Sequence, residues 1–190
     1  MNETLHQDQH YTRIDYTEQD LSDQDFEDCS FKECNFSQCD LMQVDFIDCR
    51  FDTCNLSLAK LTNTGFKNCA FVNCKLTGLD FHPCNDFLFA MTFSKCQLDY
   101  SSFFKKKLKK TVFIDCSLKE TDFTEADLSE AKFNNCDLSN ALFDRCNLEK
   151  ADFRTAYNYA FDPELNRIKK ARFSINGLAG LLQKYNIDIS

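Results

Sequence analysis

The sequence predicts an all-β solenoid, and three observations carry this prediction. Large apolar residues recur every five positions, identical residues recur every twenty, and small residues recur two positions before the large ones. A period of five matches neither the 3.6-residue repeat of an α-helix nor the two-residue repeat of a strand. A chain that turns a corner every five residues would instead place each large residue inside a coil.

The five-residue period begins at Tyr11. Between Tyr11 and Phe81, all fifteen positions at this spacing are Leu or aromatic. The phase then shifts by two residues, resumes at Phe93 and continues to Phe173. Thirty of the 32 central positions fit, and the exceptions are Asn158 and Pro163.

The twenty-residue period indicates that four pentapeptides make one square coil. One column contains only Phe, at positions Phe93, Phe113, Phe133, Phe153 and Phe173. Successive coils of this kind should lie ~4.8 Å apart, the distance between paired strands.

The cysteines follow the same pattern. Eleven of the twelve precede a central residue by two positions, and the twelfth, Cys84, lies in the phase break, where we expect it to be accessible. A free Cys behaves as a small hydrophobe, which suits a narrow interior. The sequence has no CxxC pair of the kind that zinc sites use, so we predict structural thiols, no metal and no cofactor.

These patterns divide the chain into an N-terminal tail (1–10), a β-helix (11–173) and a C-terminal segment (174–190). Within the β-helix, the phase break at 82–90 contains Pro83 and predicts a bulged loop. This loop is either functional or a tolerated insertion. Its candidate residues are His82, Pro83, Cys84, Asn85, Asp86 and Phe87.

The C-terminal segment predicts a short helix, with Ser174 as its N-cap and apolar residues at helical spacing, followed by a strand-like ending. Such a segment can be a lid on the last coil, or a lid whose outer surface also pairs with a second copy. The predicted dimer residues are Leu178, Leu181, Leu182, Tyr185, Ile187 and Ile189.

The net charge is −8, and it is unevenly distributed. Residues 1–90 carry 16 acids and 6 bases, and residues 91–190 carry 14 acids and 16 bases. This balance argues against non-specific nucleic-acid binding, which needs Lys and Arg. No apolar run approaches the ~20 residues that span a bilayer, and the polar start resembles no signal peptide, so we expect a cytoplasmic protein without membrane contact.

Five lysines lie between Lys105 and Lys110. Among them, Lys106 falls in the small inward column, where a buried ammonium group is costly. We therefore expect either a distorted coil or a side chain that extends outward to water. The cluster is either a solvated face or a contact for an acidic partner or DNA.

We predict that the chain is not an enzyme and has no catalytic residues. The three histidines, His6, His10 and His82, lie in the predicted tail and loop, and no nucleophile and base are paired in the sequence. There is no glycine-rich phosphate loop, and the carboxylates are spread along the chain.

Segments such as Ala126-Asp127-Leu128 and Ala151-Asp152-Phe153 resemble the A(D/N)LXX signature of pentapeptide-repeat proteins. The resemblance covers roughly residues 11–173 and implies a right-handed quadrilateral β-helix. The ending from Ala171 to Ile187 resembles the dimerising tail of Qnr-type quinolone-resistance proteins, microcin-immunity proteins and the albicidin-resistance protein AlbG. That group binds DNA gyrase or topoisomerase IV and relieves the action of poisons. Loops that project from Qnr-type rods matter for protection.

The resemblance implies a homodimeric DNA mimic that binds a type II topoisomerase. Electrostatic attraction to a positive DNA groove would act on an acidic face. The candidate carboxylates share one phase, just before the central residues, and are Asp15, Asp20, Asp25, Asp45 and Asp80. The alternative is a structural or interaction scaffold with an unrelated partner, because a fold does not determine a function.

Overall fold

The computed structural model describes residues 4–188, which form a parallel β-solenoid of about seven turns followed by a short helical segment at the C-terminus. Before the phase break, each strand residue pairs with the residue twenty positions further on, as Phe26 does with Phe46 and Phe31 with Phe51. Four sides of five residues therefore make each turn. The predicted all-β solenoid with a square coil is confirmed.

We name the four faces A to D in chain order. Face A contains one parallel sheet of four strands: β1 (Thr4–Gln7), β3 (Gln24–Glu27), β5 (Asp45–Ile47) and β7 (Gly65–Lys67). Face B contains a parallel sheet of seven strands: β2 (His10–Thr12), β4 (Ser30–Lys32), β6 (Arg50–Asp52), β8 (Cys69–Val72), β9 (Met91–Ser94), β10 (Val112–Ile114) and β11 (Lys132–Asn134). On faces C and D, isolated bridges join successive turns, for example Asp15 to Asn35 on face C and Asp20 to Asp40 on face D.

The core is a set of stacked rings that run along the rod. On face B, the ring centroids of Phe51 and Phe71 are 4.7 Å apart, and those of Phe93 and Phe113 are 5.1 Å apart. Rings on adjacent faces meet edge to face, as Phe26 and Phe31 do at 5.3 Å. Both geometries are favourable for aromatic pairs.

The corners of the coil have left-handed backbone conformations. Every fifth residue from Asp8 to Asn73 and from Lys95 to Lys150 has a positive φ, mostly between 53° and 63°, and among these positions glycine is absent. The corner N–H of each turn donates to a carbonyl of the next turn, as Arg13 N does to Lys32 O at 2.9 Å. These hydrogen bonds hold neighbouring turns together at the corners, which lie between the strands.

The small inward column is filled as the sequence predicts, with all twelve cysteines buried and free. Nine of these thiols donate to a carbonyl of the preceding turn, as Cys49 Sγ does to Phe26 O at 3.3 Å. Burial raises the pKa of the Cys49 thiol to about 12. The expectation for Cys84 is wrong: its side chain is only 5% exposed, because the coil continues through this residue before the phase break takes effect.

The coil also begins earlier than the predicted boundary at residue 11. Strand β1 pairs with β3, and the ring of His6 stacks on that of Phe26 at a centroid distance of 4.9 Å. His6 lies five residues before Tyr11, and its planar ring can occupy a central position of the first turn. Residues 4–10 therefore belong to the solenoid.

The last turn replaces its two missing central residues. Asn158 and Pro163 break the phase, and the buried rings of Tyr159 and Phe161 fill the core beside them. Phe161 lies 5.8 Å from Phe153, centroid to centroid.

The C-terminal segment contains a 3₁₀ helix (Ile175–Gly177), the α-helix α1 (Ala179–Leu182) and a second 3₁₀ helix (Gln183–Tyr185). Ser174 Oγ accepts from Gly177 N at 3.2 Å, so the predicted N-cap is confirmed. Residues 186–188 form no strand, so the predicted strand-like ending is not found there.

Replacing Phe46 with Ala should lower the free energy of unfolding by ~3–5 kcal/mol, because the ring is fully buried between Phe26 and Phe66. The matched control is Phe87→Ala, which removes an exposed ring and should change stability by less than about 0.5 kcal/mol. Chemical denaturation followed by circular dichroism measures both. Equal effects of the two substitutions would contradict the stacked core.

Candidate functional site

The five predicted partner-binding carboxylates do not form one face. Asp25 and Asp45 lie on face A, Asp15 lies on face C, and Asp20 and Asp80 lie on face D. The five-residue phase specifies a position within one side of the coil. The face depends on the position within the twenty-residue turn, and the five residues occupy three different positions within it.

Several of these carboxylates also have a local structural role. Asp15 Oδ1 accepts from the backbone N–H of Thr17 at 3.0 Å, and Asp20 Oδ1 accepts from that of Ser22 at 2.9 Å. In such Asx turns, a side-chain oxygen accepts the hydrogen bond that a backbone carbonyl accepts in an ordinary turn. The hydrogen bonds from Thr17 hold the pKa of Asp15 below its usual value. Substituting these residues would therefore disturb the turns as well as the charge.

Sequence reasoning missed a second set of acids, at the left-handed corners. Asp8, Glu18, Asp28 and Asp48 are exposed there, two residues after a central residue. Within residues 4–188, the carboxylates of Asp8 and Asp28 accept no hydrogen bond and form no ion pair. The five-residue period could have identified these acids, because they follow the central residues by two positions, whereas the predicted carboxylates directly precede them.

Three of these acids form a column along the corner between faces A and B, which we call the acidic column: Asp8, Asp28 and Asp48. They are twenty residues apart and therefore lie in successive turns, ~4.8 Å apart. Asn68 follows in the next turn, and its Nδ2 donates to Asp48 Oδ1 at 2.6 Å.

The lysine cluster is divided by the fold. Lys105 pairs with Glu125 at 3.6 Å and Lys109 with Glu130 at 3.9 Å, all at the surface. Lys107 is exposed, as is Lys110. Exposed pairs of this kind contribute little to stability. Lys106 is the exception.

Lys106 is buried, with 2% of its side chain exposed. Its ammonium group donates to Cys84 O at 2.7 Å, to Asp86 Oδ1 at 2.6 Å and to His82 O at 3.4 Å. It also lies 4.7 Å from the centroid of the Phe89 ring. Both expectations for this residue are wrong: the coil encloses the charge and supplies it with acceptors, which offset the cost of desolvation.

The loop is shorter than the predicted 82–90. Asn85 N still donates to Thr64 O at 2.9 Å, which is the spacing of a regular turn. The chain leaves the coil from Asp86 to Ala90 and rejoins it where Met91 pairs with Cys69. His82, Pro83, Cys84 and Asn85 therefore belong to the coil, because the two extra residues are inserted after them.

The loop carries two exposed apolar side chains, Phe87 (66% exposed) and Leu88 (65% exposed). Together with face A they border a groove of about 350 Å³, which we call the loop groove. Its lining residues are Ile47, Asp48, Lys67, Asn68, Phe87, Leu88 and Ala90.

The C-terminal segment presents most, but not all, of the predicted dimer residues. Leu178, Leu182, Tyr185 and Ile187 are exposed. Leu181 is 8% exposed and packs on its own core, so its prediction as an interface residue is wrong. The reason is that α1 lies against the last coil, where a Cβ on Gly180 would be 1.9 Å from the carbonyl oxygen of Tyr159. Ile189 lies outside the described residues.

Within residues 4–188, no helix has the length and apolar character needed to cross a bilayer. In the same range, no three His, Cys, Asp or Glu side chains come together in a way that could hold a metal ion.

These features define a rod whose exposed side chains, rather than a cavity, are available for interaction, as in repeat proteins that bind other proteins. Comparison with protein families agrees with this class. The description "Pentapeptide repeats (8 copies)" matches residues 20–63 and 39–78, and "Pentapeptide repeat region" matches residues 87–156. The chain belongs to the pentapeptide-repeat family.

Among solved structures, the chain is similar to two trypsin-treated variants of QnrB1, a plasmid-mediated fluoroquinolone resistance protein. The first is 24% identical with a TM-score of 0.51, and the second is 22% identical with a TM-score of 0.49. In both cases the match covers 98% of this chain and 90% of QnrB1. HetL, a pentapeptide-repeat protein involved in heterocyst differentiation regulation from the cyanobacterium Nostoc, is 19% identical with a TM-score of 0.39 over 92% of this chain and 91% of HetL. At 24% identity, the likeness to the first of these structures establishes the fold alone. The chain matches none of the curated protein sequences.

Replacing Lys106 with Met should lower the free energy of unfolding by about 1–3 kcal/mol, because the carbonyls of His82 and Cys84 lose a buried donor. Amide hydrogen exchange from Asp86 to Ala90 should become faster, since the loop loses its attachment. The control is Lys107→Met, the exposed neighbour, which should leave both quantities unchanged. Unchanged exchange in the Lys106 variant would show that this residue does not hold the loop.

Proposed function

We propose that the chain binds a type II topoisomerase, DNA gyrase or topoisomerase IV, in competition with DNA, and protects it from quinolones or other poisons. The observation that carries this proposal is the acidic N-terminal half of a narrow rod, where residues 1–90 carry 16 acids and 6 bases. The corner carboxylates of Asp8, Glu18 and Asp28 face solvent in this half. The positively charged DNA groove of an enzyme attracts such a surface over several ångströms.

The likeness to QnrB1 supports the same proposal, because QnrB1 is a fluoroquinolone resistance protein and the match extends over 98% of this chain. The proposed role is one of binding, without catalysis, a cofactor or direct contact with nucleic acid. It places the protein in the cytoplasm, where the topoisomerase acts.

A second candidate is a scaffold whose partner is unrelated to DNA. The observation that favours it is the shortness of the loop, which leaves the coil only from Asp86 to Ala90. The resemblance to Qnr-type proteins implies that longer projecting loops contribute to protection. The two candidates differ in whether a topoisomerase responds to the protein.

The decisive assay adds the purified protein to gyrase, and separately to topoisomerase IV, with a quinolone present. We expect fewer drug-induced DNA breaks as the protein concentration rises. The effect should weaken with salt, because exposed charges are screened over about 8–10 Å at physiological ionic strength. If neither supercoiling nor cleavage changes with several poisons, the scaffold candidate replaces the first.

A charge-reversal variant locates the effect within the rod. Asp8→Lys with Asp28→Lys should weaken protection without loss of the fold, because Lys95 and Lys105 already occupy equivalent left-handed corners. The matched control is Asp115→Lys with Glu120→Lys, the same change at two left-handed corners in the C-terminal half, which lie on other edges of the rod. Equal loss in both variants would indicate an effect of net charge alone.

We also propose a homodimer through the C-terminal segment, where Leu178, Leu182 and Ile187 leave apolar surface exposed. Such a contact would be a two-fold, self-complementary interface. Leu182→Asp should yield monomers by light scattering, whereas Leu142→Asp, at an exposed Leu on face D, should not. An intact protein that is already monomeric at micromolar concentration would refute the dimer.

A further inference from the structure

The loop groove has the properties of a preformed binding surface. Its apolar walls are Ile47 on one side and Phe87, Leu88 and Ala90 on the other. The exposure of Phe87 and Leu88 costs free energy in water, and an apolar side chain from a partner would recover part of it.

The groove is held in shape by several contacts to the loop. Lys106 bonds Asp86 at the start of the loop, and Phe87 N donates to Asn85 Oδ1 at 2.9 Å. Phe89 forms an antiparallel bridge with Lys67 on face A. Binding therefore requires little ordering of the loop, which reduces the entropic cost of association.

The charge next to the groove is negative. Asp48 belongs to both the groove lining and the acidic column, which continues from it to Asp28 and Asp8. The cation of the lining, Lys67, is paired with Asp45 and so contributes little net positive charge. A partner that fills the groove would therefore encounter an apolar pocket followed by carboxylates ~4.8 Å apart.

We propose that the loop groove and the acidic column together form a docking site for a basic amphipathic helix of a partner protein. One apolar side chain of the helix enters the groove, and cations three or four residues apart on the same face follow the acidic column. Those cations are ~4.5–6 Å apart along a helix, at 1.5 Å per residue, which is close to the spacing of the carboxylates. This inference does not depend on the topoisomerase proposal.

The test uses an N-acetylated, alanine-based helical peptide that carries one Leu and, on the same face, Lys residues four and eight positions away. Binding of the fluorescein-labelled peptide to the full-length protein is followed by fluorescence anisotropy. Its contact site is followed by methyl chemical shifts, which should change at Ile47, Leu88 and Ala90. A peptide with Glu in place of Lys should not bind, and one with Lys on the opposite face should bind more weakly.

Variants then separate the two parts of the site. Asp28→Lys with Asp48→Lys should weaken binding about tenfold, because two charge pairs become repulsive. Asp115→Lys with Glu120→Lys should leave it unchanged. Leu88→Ser should abolish the shifts at Ile47, and Lys106→Met should weaken binding while broadening the loop signals, which marks it as a positioning residue rather than a contact.

The proposal is overturned if the Lys and Glu peptides bind equally, or if Leu88→Ser has no effect on peptide binding. It is also overturned if the free protein shows concentration-dependent shift changes at Ile47 and Leu88, since a second copy of this chain would then be the occupant. A negative result with gyrase would leave these outcomes unaffected, so the two proposals can fail separately.

Discussion

The left-handed corner is the constraint on which the rest of this structure depends. A positive φ costs an L-residue other than glycine roughly 1–2 kcal/mol, and this chain adopts it every fifth residue over most of its length. The conformation turns the corner N–H towards the next turn, where it donates to a carbonyl, as Asp28 N does to Ile47 O at 3.0 Å. The strain is thus offset by a hydrogen bond that also sets the register at twenty residues.

That register explains why the fold could be predicted from the sequence. Because each central residue lies directly above the one twenty positions earlier, a single ring or Leu at the wrong phase would leave a cavity in a close-packed column. The Phe and Leu periods and the small inward column therefore had to be visible in the sequence. The capping role of Ser174 was also visible, because it depends only on residues three positions away.

The features that sequence reasoning missed depend on contacts between turns. Lys106 did not fit the inward column in the sequence, because its acceptors, His82, Cys84 and Asp86, lie 20 to 24 residues earlier and become neighbours only in the coil. The face of each Asp was hidden for a related reason. A five-residue phase is shared by all four faces, so it identifies a corner or a side position without indicating which side. Leu181 is buried because Gly180, which has no Cβ, allows α1 to lie close to the backbone of Tyr159.

The corner positions carry information that the core positions do not. The core positions hold mainly Phe and Leu, or small residues such as Cys, Ala and Thr, so most of those residues report on packing alone. The left-handed corners accept Asp, Lys, Thr and Leu in the same conformation, as Asp48, Lys110, Thr53 and Leu58 show. The fold therefore does not dictate that the corner between faces A and B carries Asp8, Asp28 and Asp48 in its first half, whereas its second half carries three lysines and one acid, namely Lys110, Glu130, Lys150 and Lys170. A charge pattern that packing leaves undetermined is best explained by what binds to the surface, and the loop groove lies where the acids of this corner are followed mainly by lysines.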